Sequence, residues 1–223
     1  MGSVRPSTDI SLRLMHSVCP AHHKPITTLR VAAGRVVTAS EDHTLKIFKL
    51  EDSCCLFTLR GHQAGVTTAY MDQSMTLASG GRDGIIFLWD ALTGSKVNHM
   101  RGHRSSILSL TCTPNYVVSA GIDDKTCIWD RQTALLLYSI PQEPGCSPSF
   151  GVVSDSLLVT CGLGCLNLWE MDYGRLVQTV YLSKSEDCEL VHQILVVGNS
   201  TIACHMGKNI NLVCLPSMLD KID

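Results

Sequence analysis

Four times, at a spacing of about 40 residues, this chain writes a β-rich run that ends in an aromatic residue followed by a charged one. The aromatics are Phe48, Trp89, Trp129 and Trp169. A Gly-His pair stands ahead of two of them, at Gly61-His62 and Gly102-His103. Between these markers lie short apolar or β-branched runs separated by turn formers. In the clearest unit the runs are Val66–Tyr70, Met75–Ser79, Ile85–Trp89 and Ser95–Met100, punctuated by Asp72, Gly80-Gly81, Asp83-Gly84 and Thr93-Gly94. The next unit repeats the scheme with Ile107–Thr111, Tyr116–Ser119, Thr126–Trp129 and Leu135–Ile140.

A period of this length with a G-H…W-D signature is the mark of WD-repeat β-propeller blades. The sequence therefore predicts an all-β chain of about five four-stranded blades, over residues 21–60, 61–101, 102–141, 142–182 and 183–223. The fifth unit reaches only its third strand. Seven such units need roughly 280 residues, and the chain has 223, so it reads as a partial arc of a seven- or eight-bladed ring. Residues 1–20 fit the repeat poorly, but Ser11–Ser17 has the character of a fourth strand. It could complete the fifth blade and close the ring, or belong with blades outside this chain. The usual blade numbers favour the open arc.

The recurring polar residues are expected to be structural. In a WD blade the Gly-His histidine, a Ser or Thr of the second strand, the turn Asp and the third-strand Trp form one buried hydrogen-bonded chain, tolerable only if each member finds partners. His62, Ser79, Asp83 and Trp89 complete one set; His103, Ser119, Asp123 and Trp129 complete another. The first unit offers Thr38 and Asp42, with His22 or His23 near the histidine position and Phe48 for the Trp. The fourth has no Gly-His, and Leu163-Gly164 stands where the turn Asp belongs, so it should rely on apolar packing. A Ser/His/Asp set that recurs with the repeat and ends on an indole donor is not a nucleophilic triad, and no catalytic residue is predicted.

Charge is nearly balanced, 18 basic against 20 acidic residues, which gives no reason to expect a nucleic acid as partner. No apolar run approaches the ~20 residues of a membrane span, so the chain reads as soluble and cytoplasmic, with no direct membrane insertion. The 11 cysteines are odd in number and scattered through apolar runs, as expected of reduced core thiols. Cys161 and Cys165 lie four apart, and Cys146 or His205 could be imagined beside them, but there is no second paired-ligand motif. No metal and no cofactor are predicted.

Longer stretches are similar to one family in particular. RVVTASEDHTLKIFKLEDSCCLFTL from Arg35, LASGGRDG from Leu77, YGRLVQTVYL from Tyr173 and LPSMLDKID from Leu215 resemble the C-terminal WD region of the sterol regulatory element-binding protein (SREBP) cleavage-activating proteins. The resemblance runs from about Lys24 to the end. It implies a platform that holds the C-terminal regulatory domain of SREBP while a membrane domain, absent from this chain, senses sterol. The pair would travel in COPII vesicles from endoplasmic reticulum to Golgi, with this region on the cytosolic face. Sterol and the COPII coat would be reached only through that absent domain. The alternative is a generic soluble WD-repeat adaptor, such as a ubiquitin-ligase substrate receptor. Residues beside the turn Asp and after Gly-His point to one face of a propeller, so Glu41, Gln63, Arg82 and Arg104, with Arg35 and Arg101, are the expected partner contacts.

Overall fold

The computed structural model describes residues 14, 17–146, 148–182, 189–198 and 201–215. Within them, strands form five antiparallel sheets in strict chain order. The first holds β1 (Ile26–Ala32), β2 (Arg35–Ser40), β3 (Thr44–Lys49) and β4 (Cys55–Arg60). The second holds β5 (Val66–Met71), β6 (Thr76–Gly81), β7 (Ile85–Asp90) and β8 (Ser95–Arg101). The third holds β9 (Ile107–Cys112), β10 (Tyr116–Gly121), β11 (Lys125–Asp130) and β12 (Leu136–Pro141). The fourth holds β13 (Phe150–Val152), β14 (Leu157–Cys161), β15 (Cys165–Glu170) and β16 (Arg175–Tyr181). The fifth has three strands among the described residues: β17 (Val191–Val197), β18 (Thr201–Met206) and β19 (Asn209–Cys214). The strand expected over Ser11–Ser17 falls outside the described residues except at Leu14 and Ser17, neither of which lies in a strand.

Burial within a sheet follows from stacking. In the second sheet the third strand is covered on both faces by neighbouring sheets, so β7 reads as an unbroken apolar run, and Ile85 through Trp89 are all buried. The fourth strand forms the rim; six of the seven residues of β8 are exposed or half-buried. Four apolar clusters fill the seams. Val37, Ile47 and Leu59 meet Val66, Leu77 and Trp89 between the first two sheets. Ile86 and Met100 meet Ile107 and Trp129 between the next two. Val118 and Ile128 meet Leu158 and Met171, and Val159 and Leu166 meet Ile194 and Ile202.

The sheets approach closely where small residues let them. A Cβ on Gly80 would lie 2.8 Å from Ile107 of the next sheet. Inner strands are also stitched by polar contacts: the Thr27 hydroxyl donates to the Val66 carbonyl at 2.7 Å, Thr67 donates to that of Ile107, and Arg30 Nε to that of Ala69 at 3.0 Å. In each of the first four sheets the pairing of third and fourth strands slips by one residue immediately before the marker aromatic. A bulge there twists the rim strand away from the ring axis.

At the two ends of the stack, apolar side chains stay in solvent, as an open arc requires. Leu29 and Val31 are exposed on β1, and in the fifth sheet Ile210 is 77 % and Leu212 69 % exposed.

Candidate functional site

The Gly-His histidine is set by its glycine. A Cβ on Gly102 would come within 2.7 Å of the Trp129 ring, so only glycine lets the backbone pass over the indole and drop His103 into the sheet. There His103 Nδ1 lies 2.8 Å from Asp123 Oδ1 and Nε2 lies 2.8 Å from Ser119 Oγ. Trp129 Nε1 donates to the same Oγ at 2.9 Å. The second sheet repeats the arrangement: His62 Nδ1 stands 3.0 Å from Asp83 Oδ2 and Nε2 2.9 Å from Ser79 Oγ, and Trp89 Nε1 donates to Ser79 at 2.9 Å.

A carboxylate facing Nδ1 fixes the proton there, leaving Nε2 to accept from the serine hydroxyl. The hydroxyl then spends its one proton on the histidine and accepts from the tryptophan. Ser79 and Ser119 are wholly buried, which gives these oxygens no path to a substrate. The arrangement locks the entering connection, the turn and the two inner strands of each sheet together.

In the first sheet His22, rather than His23, takes the histidine position. Its Nδ1 is 2.9 Å from Asp42 Oδ2 and its Nε2 2.7 Å from Thr38 Oγ1. The His23 amide instead donates to Asp42 at 3.1 Å, matching what the Gln63 amide does at Asp83 and the Arg104 amide at Asp123. Phe48 supplies no donor, and the Thr44 hydroxyl closes the network by donating to Asp42 at 2.6 Å.

Burial works to raise all three of these carboxyls, and hydrogen bonding overrides it. Asp42 is held far below its ordinary value by Thr44, the His23 amide and His22. Asp83 is lowered by His62 and the Gln63 and Ile85 amides. Asp123 is lowered by the Arg104 amide and His103.

The fourth sheet corrects the expectation of apolar packing alone. Trp169 Nε1 still donates to Thr160 Oγ1, at 2.9 Å. The link to the turn runs in the opposite direction: Glu143, on the connection entering the sheet, accepts from the Leu163 amide at 3.0 Å.

The locks position the face carrying the turns between second and third strands. Glu41 and Arg82 meet there as an ion pair at 2.6 Å across the first two sheets. Gln63 and Arg104 are exposed beside their aspartates, and Arg101 is exposed at the end of β8. Arg35 does not join them. It begins β2 and Glu41 follows the end of that strand, so the two stand at opposite ends of the sheet. Arg60, which sequence reasoning passed over, takes the place of Arg101 one repeat earlier and is exposed. The recurring Arg-Gly-His tripeptide at Arg60 and Arg101 was its signal.

The expectation of core thiols holds for Cys112, Cys127, Cys146, Cys161, Cys165 and Cys204, which are buried, but not for Cys19, Cys54, Cys55 and Cys214, which are exposed. Burial pushes Cys112 and Cys161 up to about 12 and Cys127 up to about 11, which keeps them protonated and unreactive. Among the described residues no group of three His, Cys, Asp or Glu side chains is placed to hold a metal ion, and no helix is long and apolar enough to cross a membrane.

Repeating four-stranded sheets locked by His-Ser-Asp-Trp networks define a WD-repeat β-propeller. Solved structures agree on the fold. A computationally designed protein, Ika8, superposes with a TM-score of 0.74 at 23 % identity, over 87 % of this chain and 59 % of its own. A chain of the mitotic checkpoint complex gives 0.72 at 20 % identity, over 84 % and 60 %. The profile of the family described as SCAP Beta-propeller matches residues 3–214, beginning well ahead of Lys24. The chain is 56 % identical over 219 residues, 97 % of its length, to the sterol regulatory element-binding protein cleavage-activating protein of Xenopus laevis. It belongs to the SCAP β-propeller family. It spans 17 % of the length of that relative.

Proposed function

We propose that this arc is a protein-binding platform that holds the C-terminal regulatory domain of an SREBP, so that the partner is carried from endoplasmic reticulum to Golgi under sterol control. Sterol sensing and coat recruitment belong to other parts of the longer protein, and the platform works on the cytosolic face of the membranes. The observation that carries the reading is the identity to the Xenopus laevis protein across nearly the whole chain.

The contact is assigned to the face bearing the Glu41–Arg82 pair. Arg82 is already neutralised by Glu41, so among the described residues the arginines open to an acidic segment there are Arg60, Arg101 and Arg104, with Lys24 beside the first turn also exposed. The planar guanidinium fork suits carboxylates presented on a partner's surface. Size-exclusion co-elution with an SREBP regulatory domain tests both statements. A shared peak that is lost when Arg101 and Arg104 become Glu is the expected result. Separate peaks with the unaltered chain would overturn the platform reading; a shared peak indifferent to the double substitution would move the contact elsewhere.

A further inference from the structure

The opposite end of the sheets, where first strands turn into second and third into fourth, carries a cleft between the second and third sheets. Its volume is about 740 Å³, within the range of small-molecule and side-chain pockets. Tyr70, Met75, Leu88, Trp89, Val97 and Pro114 give it apolar walls. Val97 forms an open lip and is 63 % exposed.

Three charged groups line the cleft: Asp72, Asp90 and Arg131. Arg131 is committed to the seam itself. It reaches Asp72 Oδ2 at 2.5 Å from the neighbouring sheet and donates from Nη1 to the Thr113 carbonyl at 2.8 Å. Asp90 accepts from the Leu92 amide at 2.8 Å and the Thr93 hydroxyl at 2.7 Å, but has no ion-pair partner among the described residues. Its counterpart in the fourth sheet, Glu170, is closed by Arg175 at 3.3 Å. A carboxylate accepts about four hydrogen bonds, so Asp90 retains acceptor capacity beside an apolar wall.

We propose that this cleft binds an extended segment of a partner protein that presents an arginine or lysine. The aliphatic stem lies along Tyr70, Leu88 and Val97, as such stems do on apolar surface, and the cationic head meets Asp90, since Asp72 is already taken by Ser74, Thr76 and Arg131. The net negative charge of the lining makes the preference for a cation over an anion. Arg131, seated on Asp72 from within the chain, shows the same head-group chemistry in place. This site is separate from the arginine-bearing face and does not depend on the SREBP reading.

Fluorescence anisotropy with two labelled probes tests it: the peptides Gly-Leu-Arg-Leu-Gly and Gly-Leu-Glu-Leu-Gly, titrated with the full chain. The arginine peptide is expected to bind roughly tenfold more tightly. Asp90→Asn and Val97→Lys are each expected to remove most of that preference; Val97→Lys alters an exposed side chain and leaves the fold intact. Equal affinity for the two peptides, or a preference that survives Val97→Lys, would overturn the proposal.

Discussion

The first three sheets and the fourth solve one problem in two ways. In the former, a histidine descends from the preceding connection and a turn aspartate reaches back to it, so that each of these sheets carries a polar chain of its own in a buried setting. In the fourth, only the Trp169–Thr160 bond remains, Glu143 ties the turn from outside, and Trp169 is half-buried where Trp89 and Trp129 are buried. The shape of the sheet survives because strand pairing and apolar seams suffice for it. What the full network adds is a fixed position for the loops on one face, because every loop amide that contacts Asp42, Asp83 or Asp123 is anchored through a buried ring.

The sharpest way to break that contrast is to remove the indoles. Trp129→Ala should cost about 3–5 kcal/mol, the usual range for a buried tryptophan, whereas Trp169→Ala should cost about 2 kcal/mol because less area leaves the core. Denaturant midpoints of the two variants check this, and equal losses would mean the fourth sheet is locked as firmly as the third.

Next in size is the hydroxyl at the centre of each lock. Ser119→Ala strands both the His103 ring nitrogen and the Trp129 N–H, at about 1–3 kcal/mol for each buried group left unpaired. Thr160→Ala strands one donor in a more open site and should cost about 1 kcal/mol. The same denaturation series measures both.

Acid should divide the sheets in the same way. The folded carboxyls of Asp42, Asp83 and Asp123 lie below their ordinary value of 3.8. Their contribution is therefore fully present above pH 3.8 and is lost as pH falls further through the lowered folded values. Hydrogen exchange compared at pH 5 and pH 3 should show protection falling first at the Gln63, Ile85 and Arg104 amides, with the Trp169 region less affected. Uniform loss would remove the assigned role of the aspartates.

The smallest effect is expected at Glu143→Gln. The group is exposed and its one bond to the Leu163 amide is screened by water, so stability should change by less than about 1 kcal/mol. A larger loss in a thermal melt would make this outside tie the equal of a turn aspartate.

The sequence by itself determined the repeat. Short apolar runs set the strands, Asp and Gly set the turns, and the observed β5 to β12 fall within a residue or two of the runs read from the chain. These are local properties, fixed by side-chain alternation and backbone preference. The types of residue in the locks were legible for the same reason, since they recur at a constant offset. Tertiary structure decided the rest. His22 rather than His23 was chosen by the direction in which the chain enters the first sheet. Arg35 was parted from Glu41 by the length of one strand, and Trp169 kept a partner that its broken repeat did not advertise. The cleft beside Asp90 is lined from two sheets, with Arg131 crossing the seam to meet Asp72, 59 residues earlier. Such contacts depend on how neighbouring sheets twist and settle against one another, a relation set by packing across the seams and encoded in no single stretch of chain.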